Sequence, residues 1–194
     1  MNSPKPVHRV LFVCHGNICR SPSAEFIFKD IVKNRRVESD YKIESAATSN
    51  DEIWNGIGSP VYPQAAELLK RHGIACEGKR ARKMVKSDYD NFDLLLGMDN
   101  ANISEMKRIA GGDGDHKIHL LLEYTNNPHE ISDPWYTRDF EKAYSEINQG
   151  CEALFIKLNS LGSLQSVQIL FLTSLLLEVP VARGFSVYCL NFCF

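Results

Sequence analysis

Charge of one sign, dense cysteine and long apolar runs are all scarce in this sequence, and each scarcity removes a class of function. The formal net charge is −2 and the sequence pI is about 6.3. No global basic field is therefore available to hold nucleic acid or an anionic membrane, and any affinity for anions has to be local. Six cysteines, Cys14, Cys19, Cys76, Cys151, Cys189 and Cys193, are too dilute over 194 residues to staple a small secreted domain. Neither C-x-x-C nor paired His/Cys spacing occurs, so a structural zinc site is unsupported. The N-terminus, MNSPKPVHRV, lacks both an apolar signal core and an Arg/Ser-rich, acid-poor transit pattern, and a reduced cytoplasmic compartment is expected. The apolar run Val167 to Leu177 is interrupted by Gln168, Thr173 and Ser174 and ended by Glu178 and Pro180, too short to span a bilayer. No internal repeat or low-complexity linker divides the chain. With 44% hydrophobic and 24% charged residues it is long enough to bury one sizeable core.

What is present is an alternation of strand and helix patterns. Val10 to Val13 is a short β-branched run of the kind buried on both faces of a parallel sheet. A glycine-bearing loop, Cys14 to Arg20, follows it. Ser21-Pro22 then reads as an N-cap hydroxyl and a proline at the first helical position, before Ala24, Phe28, Ile31 and Val32 at helical spacing. Further strands are expected at Tyr41 to Ser45, Leu94 to Gly97 and Lys117 to Leu122. Further helices are expected at Pro63 to His72, stopped by Gly73, at Asn100 to Arg108 behind a capping Asp99, and from Phe140 to about Leu158. Such alternation predicts an α/β fold, with right-handed crossovers and a parallel sheet covered by helices on both faces. Ligands of such sheets bind beyond the carboxyl ends of the strands, where the Cys14 loop falls. From about Asn159 to Phe194 the chain is rich in Leu, Val and Phe, carries only Glu178 and Arg183 as charges, and does not fit the alternation.

The loop Cys14-His15-Gly16-Asn17-Ile18-Cys19-Arg20-Ser21 carries the chemistry. A thiol opens it, a guanidinium closes it, and the five residues between let the chain curl around a tetrahedral anion. Gly16 permits positive φ and Asn17 tolerates the left-handed region, so successive N–H groups can converge as a nest, with the helix N-terminus behind them. An isolated thiol, with a pKa of roughly 8.5, is mostly protonated at neutral pH; the same donors favour a thiolate at Cys14. Arg20 can hold two oxygens of a transferring phosphoryl group bidentately, and Ser21 can donate to the sulfur as it leaves. Taken alone, Cys-x5-Arg arises by chance in roughly one chain in ten of this size. Its placement between a buried strand and a helix start adds independent support. A poor leaving group also needs a proton as the P–O bond breaks. Asp133 is the best candidate donor, in Ser132-Asp133-Pro134-Trp135-Tyr136, where proline stiffens the backbone and two aromatics can wall a pocket for an aryl ring.

Together, V-C-H-G-N-I-C-R-S-P-S-A-E (Val13 to Glu25), S-A-A-T-S (Ser45 to Ser49), K-R-H-G-I (Lys70 to Ile74), Met98-Asp99 and D-P-W-Y (Asp133 to Tyr136) resemble the low-molecular-weight protein tyrosine phosphatases, over about Val7 to Leu158. The resemblance implies a four-stranded parallel sheet flanked by helices, no cofactor or metal, and hydrolysis of phosphotyrosine proteins or small aryl phosphates through a phosphocysteine, releasing inorganic phosphate. It implies Cys14 as nucleophile, Arg20 as clamp and Asp133 as general acid and base. His15, Gly16, Asn17, Ile18, Cys19 and Ser21 would surround the phosphate. Asn17, Ser21 and Ser45 would hold the loop in shape, with Asp99 a buried carboxylate near Arg20. Trp54, Trp135 and Tyr136 would meet the substrate, and His72 would be structural.

One departure stands at Cys76-Glu77-Gly78-Lys79-Arg80, where many relatives carry a histidine that joins the Asn/Ser network; here the network is expected to be incomplete or rewired. A Cys14–Cys19 disulfide would protect the nucleophile from irreversible oxidation. Two rival functions are arsenate reduction, for which Cys76 alone supplies too few resolving thiols, and a silent phosphate-binding module, which would not need Cys14, Arg20 and Asp133 together. The tail from residue 159 lies outside the resemblance, and membrane contact through it has no support in the sequence.

Overall fold

The computed structural model describes residues 8–176, with side chains through Ser160. The expected apolar strand is β1, His8–Cys14, and it sits at the centre of the sheet because Val10 to Val13 are almost wholly buried. It pairs in parallel with β2, Tyr41–Ala47, on one side and β5, Leu94–Gly97, on the other. The short edge strand β6, Ile118–Leu120, pairs with β5, so the order is β2-β1-β5-β6 with every pair parallel. Between β2 and β5 lie a small antiparallel hairpin, β3, Ile53–Trp54, and β4, Ile57–Gly58.

Helices cover both faces, as parallel sheets require. Along β1 the side chains alternate with period two. Leu11 and Val13 join Met106 and Ala110 of α4, Asn100–Ala110, in one core cluster with Phe92, Leu95 and Ile118. On the opposite face Phe12 meets Phe28 of α1, Arg20–Asn34, edge-on at 5.8 Å; Phe28 in turn meets Tyr41, and Tyr41 stacks on Phe155 of α6, Phe140–Leu176. Full burial of each such phenylalanine contributes about 1.5–3 kcal/mol. The remaining helices are α2, Pro63–Arg71, α3, Lys86–Asn91, and a single turn, α5, Pro134–Thr137.

Several sequence expectations shift at their edges. Asp99 does cap α4, accepting from Asn102 N at 2.7 Å, and Gly73 does follow α2 with φ 77°. Ser21 is not the N-cap of α1: the helix begins at Arg20 behind Cys19, and no side chain caps it. Pro22 is tolerated one turn in because the N–H groups of a first turn have no intrahelical acceptor. The strand expected over Lys117 to Leu122 stops at Leu120, where the Glu123 carboxylate accepts Leu120 N at 3.0 Å and tightens Leu121–Tyr124 into a 3-10 turn. Strand β2 runs on to Ala47, because its pairing with β1 persists through Cys14. Helix α4 runs to Ala110, where Gly111 takes the left-handed conformation. Helix α6 continues to Leu176 rather than ending near Leu158, in a stretch with no proline before Pro180. The remainder of the apolar tail, residues 177–194, lies outside the described residues. Among the described residues no helix is long and apolar enough to cross a membrane.

Candidate active site

Strand β1 delivers Cys14 to the carboxyl edge of the sheet, and the chain then curls back to Arg20 at the start of α1. The left-handed residue of this loop is Asn17, at φ 57°. Gly16 does not adopt positive φ, contrary to the reading of its permissiveness above. What it supplies is room, since a Cβ there would stand 3.0 Å from Glu52 Cγ. The carbonyls of Cys14, His15 and Ile18 turn outward to Thr48 N, Ser49 N and Tyr62 N at 2.9, 3.0 and 2.7 Å. Outward carbonyls are what a nest of inward N–H groups requires.

Behind the loop, the Asn17 amide donates to Ser21 Oγ at 2.9 Å and to Ser45 Oγ at 2.7 Å, while its carbonyl accepts Arg82 N at 3.0 Å. These three contacts hold Asn17 in its strained conformation. Ser21 Oγ lies 3.0 Å from Cys14 Sγ. The local reading of Ser21 as a helix cap gives way to this tertiary partnership.

Arg20 is 3% exposed, and both terminal nitrogens of its guanidinium are hydrogen-bonded. Nη1 donates to Asp99 Oδ2 at 2.6 Å and to the Ile131 carbonyl at 2.9 Å, and Nη2 donates to Asp133 Oδ2 at 2.6 Å. Burial works against the cation, but Cys14, Asp133 and Asp99 more than offset it and hold the guanidinium above its ordinary range. The second loop thiol, Cys19, is pushed up to about 12 by burial first and then by Cys14 and Asp133, so it stays protonated. Both thiols are free.

A cavity of about 680 Å³ opens onto these groups. Of the residues singled out from the sequence, Cys14, His15, Gly16, Ile18, Cys19, Arg20, Asp99, Asp133, Trp135 and Tyr136 line it. Asn17, Ser21 and Ser45 stand behind it as buried supports. Trp54 is not among the lining residues; it stands 72% exposed on the hairpin, close in sequence to Asp51 and Glu52, which do line the cavity. His72 stacks on Tyr144 with ring centroids 4.1 Å apart, a structural role as expected.

Sequence reasoning missed Tyr62 and Phe140. Tyr62 meets Trp135 edge-on at 5.5 Å and stacks on Phe140 at 5.8 Å, extending the aromatic lining. It also missed Asp51, whose carboxylate pairs with His15 Nε2 at 2.7 Å at the exposed rim. The Asn55-Gly56 pair, at φ 50° and 79°, is a two-residue hairpin signal that would have located the β3–β4 element. Among the described residues no group of three or more His, Cys, Asp or Glu side chains is placed to hold a metal ion. The arrangement can bind a tetrahedral dianion against Arg20 and the loop N–H groups, present a sulfur nucleophile to it, and exchange a proton on the Asp133 side.

Comparison with known proteins agrees with this geometry. The family model described as low molecular weight phosphotyrosine protein phosphatase matches residues 9–164. The low molecular weight protein-tyrosine-phosphatase YfkJ of Bacillus subtilis is 40% identical over 147 residues, which is 75% of this chain and 92% of that protein. The low molecular weight phosphotyrosine protein phosphatase of Homo sapiens is 36% identical over 153 residues, 76% of this chain and 94% of its own. The crystal structure of YfkJ superposes with a TM-score of 0.76 at 36% identity, covering 81% of this chain and 98% of that one.

Proposed function

The chain belongs to the low molecular weight phosphotyrosine protein phosphatases, and on that premise we propose that it hydrolyses aryl phosphate monoesters, phosphotyrosine in proteins foremost, with Cys14, Arg20 and Asp133 as the catalytic residues. The observation that carries the assignment is the meeting of all three at one cavity: Cys14, Arg20 and Asp133 all line it, and Asp133 accepts from the Arg20 guanidinium at 2.6 Å.

The steps follow from this arrangement. The phosphoryl oxygens sit on the loop N–H groups and on Arg20, which neutralise charge where it builds up in the transition state. The Cys14 thiolate attacks phosphorus as the P–O bond to the aryl oxygen breaks, and that oxygen takes the proton carried by Asp133. A phosphocysteine and a free phenol result. Water then attacks the phosphocysteine and gives a proton to the Asp133 carboxylate. Sulfur departs as a thiolate stabilised by the Ser21 hydroxyl, 3.0 Å away, and inorganic phosphate is released. The aromatic lining of Tyr62, Trp135 and Phe140 gives a phenyl ring surface to pack on. A reducing, cytoplasmic setting suits a reaction whose nucleophile must remain a thiol.

Turnover of para-nitrophenyl phosphate by the full chain at mildly acidic pH, beside Cys14→Ser and Asp133→Ala, tests the proposal. Abolished turnover in the first variant and strongly slowed turnover in the second are the expected results. A folded parent chain without turnover would instead favour a module that binds phosphate and does no chemistry.

A further inference from the structure

The stacked pair Tyr62 and Phe140 lines two hollows at once. One is the catalytic cavity. The other is an open groove of about 620 Å³, lined by Tyr62, Pro63, Gln64, Glu67, Arg71 and Phe140, and the mechanism above makes no use of it.

Local structure fixes where this groove lies. Tyr62 N donates to the Ile18 carbonyl at 2.7 Å, which ties the near end to the phosphate loop. Pro63 then opens α2 at the first helical position, where its missing N–H costs nothing. Gln64, Glu67 and Arg71 follow three and four residues apart and so share one face of that helix. On the other side Phe140 opens α6, and Glu141 behind it accepts from Arg71 Nη2 at 2.6 Å, fastening the end of α2 to the start of α6. Pro63, Gln64, Glu67 and Arg71 are all exposed.

The lining selects its occupant by chemistry. Tyr62, Pro63 and Phe140 give a ring surface at the end shared with the cavity. Beyond it stand one anion, Glu67, and one cation, Arg71, the latter already engaged by Glu141. A charged side chain would meet one charge of each sign, whereas an apolar side chain would gain the ring surface. The reach also fits. The two ring centroids are 5.8 Å apart, and an extended peptide advances about 3.3–3.6 Å per residue. With a phosphotyrosine in the cavity, a residue one or two places along the chain comes over the groove, which a small aryl phosphate cannot reach.

We propose that this groove is a docking subsite for protein substrates, taking one aromatic or branched aliphatic side chain within two residues of the phosphotyrosine. The proposal rests on the phosphotyrosine reading of the cavity, and its test separates the two.

Steady-state kcat/KM is measured on the full chain and on Glu67→Arg for phosphotyrosine peptides in which each flanking position in turn is Gly, Leu, Phe or Glu. Each value is expressed relative to para-nitrophenyl phosphate turnover by the same protein. In the parent, Leu or Phe at one flanking position should exceed Gly by about five- to ten-fold, with Glu no better than Gly. In Glu67→Arg, where the groove carries two cations, Glu at that same position should gain several-fold. Should Glu67→Arg fail to fold, Gln64→Arg on the same face must show the same gain. Equal values for all peptides, beside normal turnover of para-nitrophenyl phosphate, would overturn the subsite and leave the phosphatase reading standing. An apolar preference that neither variant moves would place the contact elsewhere and overturn it too, as would a parental preference for Glu. A parent that sediments as a dimer which Glu67→Arg dissociates would give the groove to a second copy of the chain instead. Absent turnover of para-nitrophenyl phosphate would overturn the phosphotyrosine reading itself, and the subsite with it.

Discussion

Asp99 and Asp133 grip Arg20 in the same manner: each uses Oδ1 to cap its own helix and Oδ2 to take one guanidinium nitrogen, both at 2.6 Å. The Arg20 guanidinium is thereby tied to the first turns of α4 and α5. Of the two carboxylates, Asp133 is the one to which the proposed mechanism gives a chemical part, and it lies against the Arg20 guanidinium proposed to bind phosphate.

Asp133→Ala should therefore separate chemistry from anion binding. Turnover of para-nitrophenyl phosphate is expected to fall by about 10²–10³-fold, the range for loss of a positioned general acid. Inhibition by inorganic phosphate should become tighter, because a competing negative charge beside Arg20 is gone. Weaker phosphate inhibition in the variant would mean that Asp133 helps to position Arg20 more than it competes for it.

Asp99 offers a different separation, because its two oxygens do different work. Asp99→Ser keeps a cap for α4 but loses the ion pair, whereas Asp99→Ala loses both. Urea unfolding should place the Ala variant about 1 kcal/mol below the Ser variant, the usual contribution of an N-cap. Steady-state kinetics should show kcat/KM reduced alike in both, since each leaves Arg20 with one carboxylate fewer. A Ser variant with parental kcat/KM would remove Asp99 from any part in orienting the guanidinium.

Much of the fold was legible because its signals are local. Val10 to Val13 before a glycine-bearing loop, Asp99 before α4 and Gly73 after α2 each act through their immediate neighbours, and each stands where pattern reading puts it. The loop from Cys14 to Arg20 was legible for the same reason. Ser21 was misread as a helix cap because a hydroxyl before a proline is one by local rules, whereas its expected partnership with Cys14 and Asn17 is what the fold shows. Tyr62 and Phe140 were invisible as site residues because 78 positions separate them and each reads alone as an ordinary aromatic at a helix start; their stacking is a product of chain topology. Lys79 shows the same limit. A lysine in a polar loop is by default solvated, and its buried partner Glu25 lies on a helix far away in sequence.

Gly58 is a position where the backbone leaves no space. A Cβ there would fall 1.9 Å from the carbonyl oxygen of Ala81, and that neighbour cannot swing aside as a side chain would. Ala81 precedes Arg82, whose N–H holds Asn17. Gly58→Ala should lower stability by about 2 kcal/mol, in the range for overpacking, and should also reduce turnover by loosening the loop support. Circular dichroism melts together with para-nitrophenyl phosphate assays check both parts, and a variant as stable and active as the parent would contradict the close approach.

The segment that carries Glu130, Ile131 and Asp133 to Arg20 is anchored at its start by His129. Nδ1 of this histidine lies 2.7 Å from the Asn127 carbonyl and Nε2 lies 3.3 Å from Glu146 Oε1. Both partners are acceptors, and only the imidazolium can donate from both nitrogens. The bond to Asn127 first, and then that to Glu146, raise His129 above its ordinary value, with burial and Lys142 opposing. A group whose folded value is raised binds its proton more tightly when folded, so its stabilisation is complete below the unfolded value of roughly 6.5 and is lost as pH rises through the higher folded value. The side chain is near the surface and solvent screening keeps the effect small. Urea midpoints measured at about pH 5.5 and about pH 8.5 should therefore fall further for the parent than for His129→Gln, which cannot take up the proton. Other histidines, His15 beside Asp51 and His119 beside Glu123, are common to both proteins and cancel in the comparison. Equal pH dependence in parent and variant would show that the anchor holds without the charge, leaving the Asp133 segment to be fixed by the Asn100–Glu130 bond and by Arg20 itself.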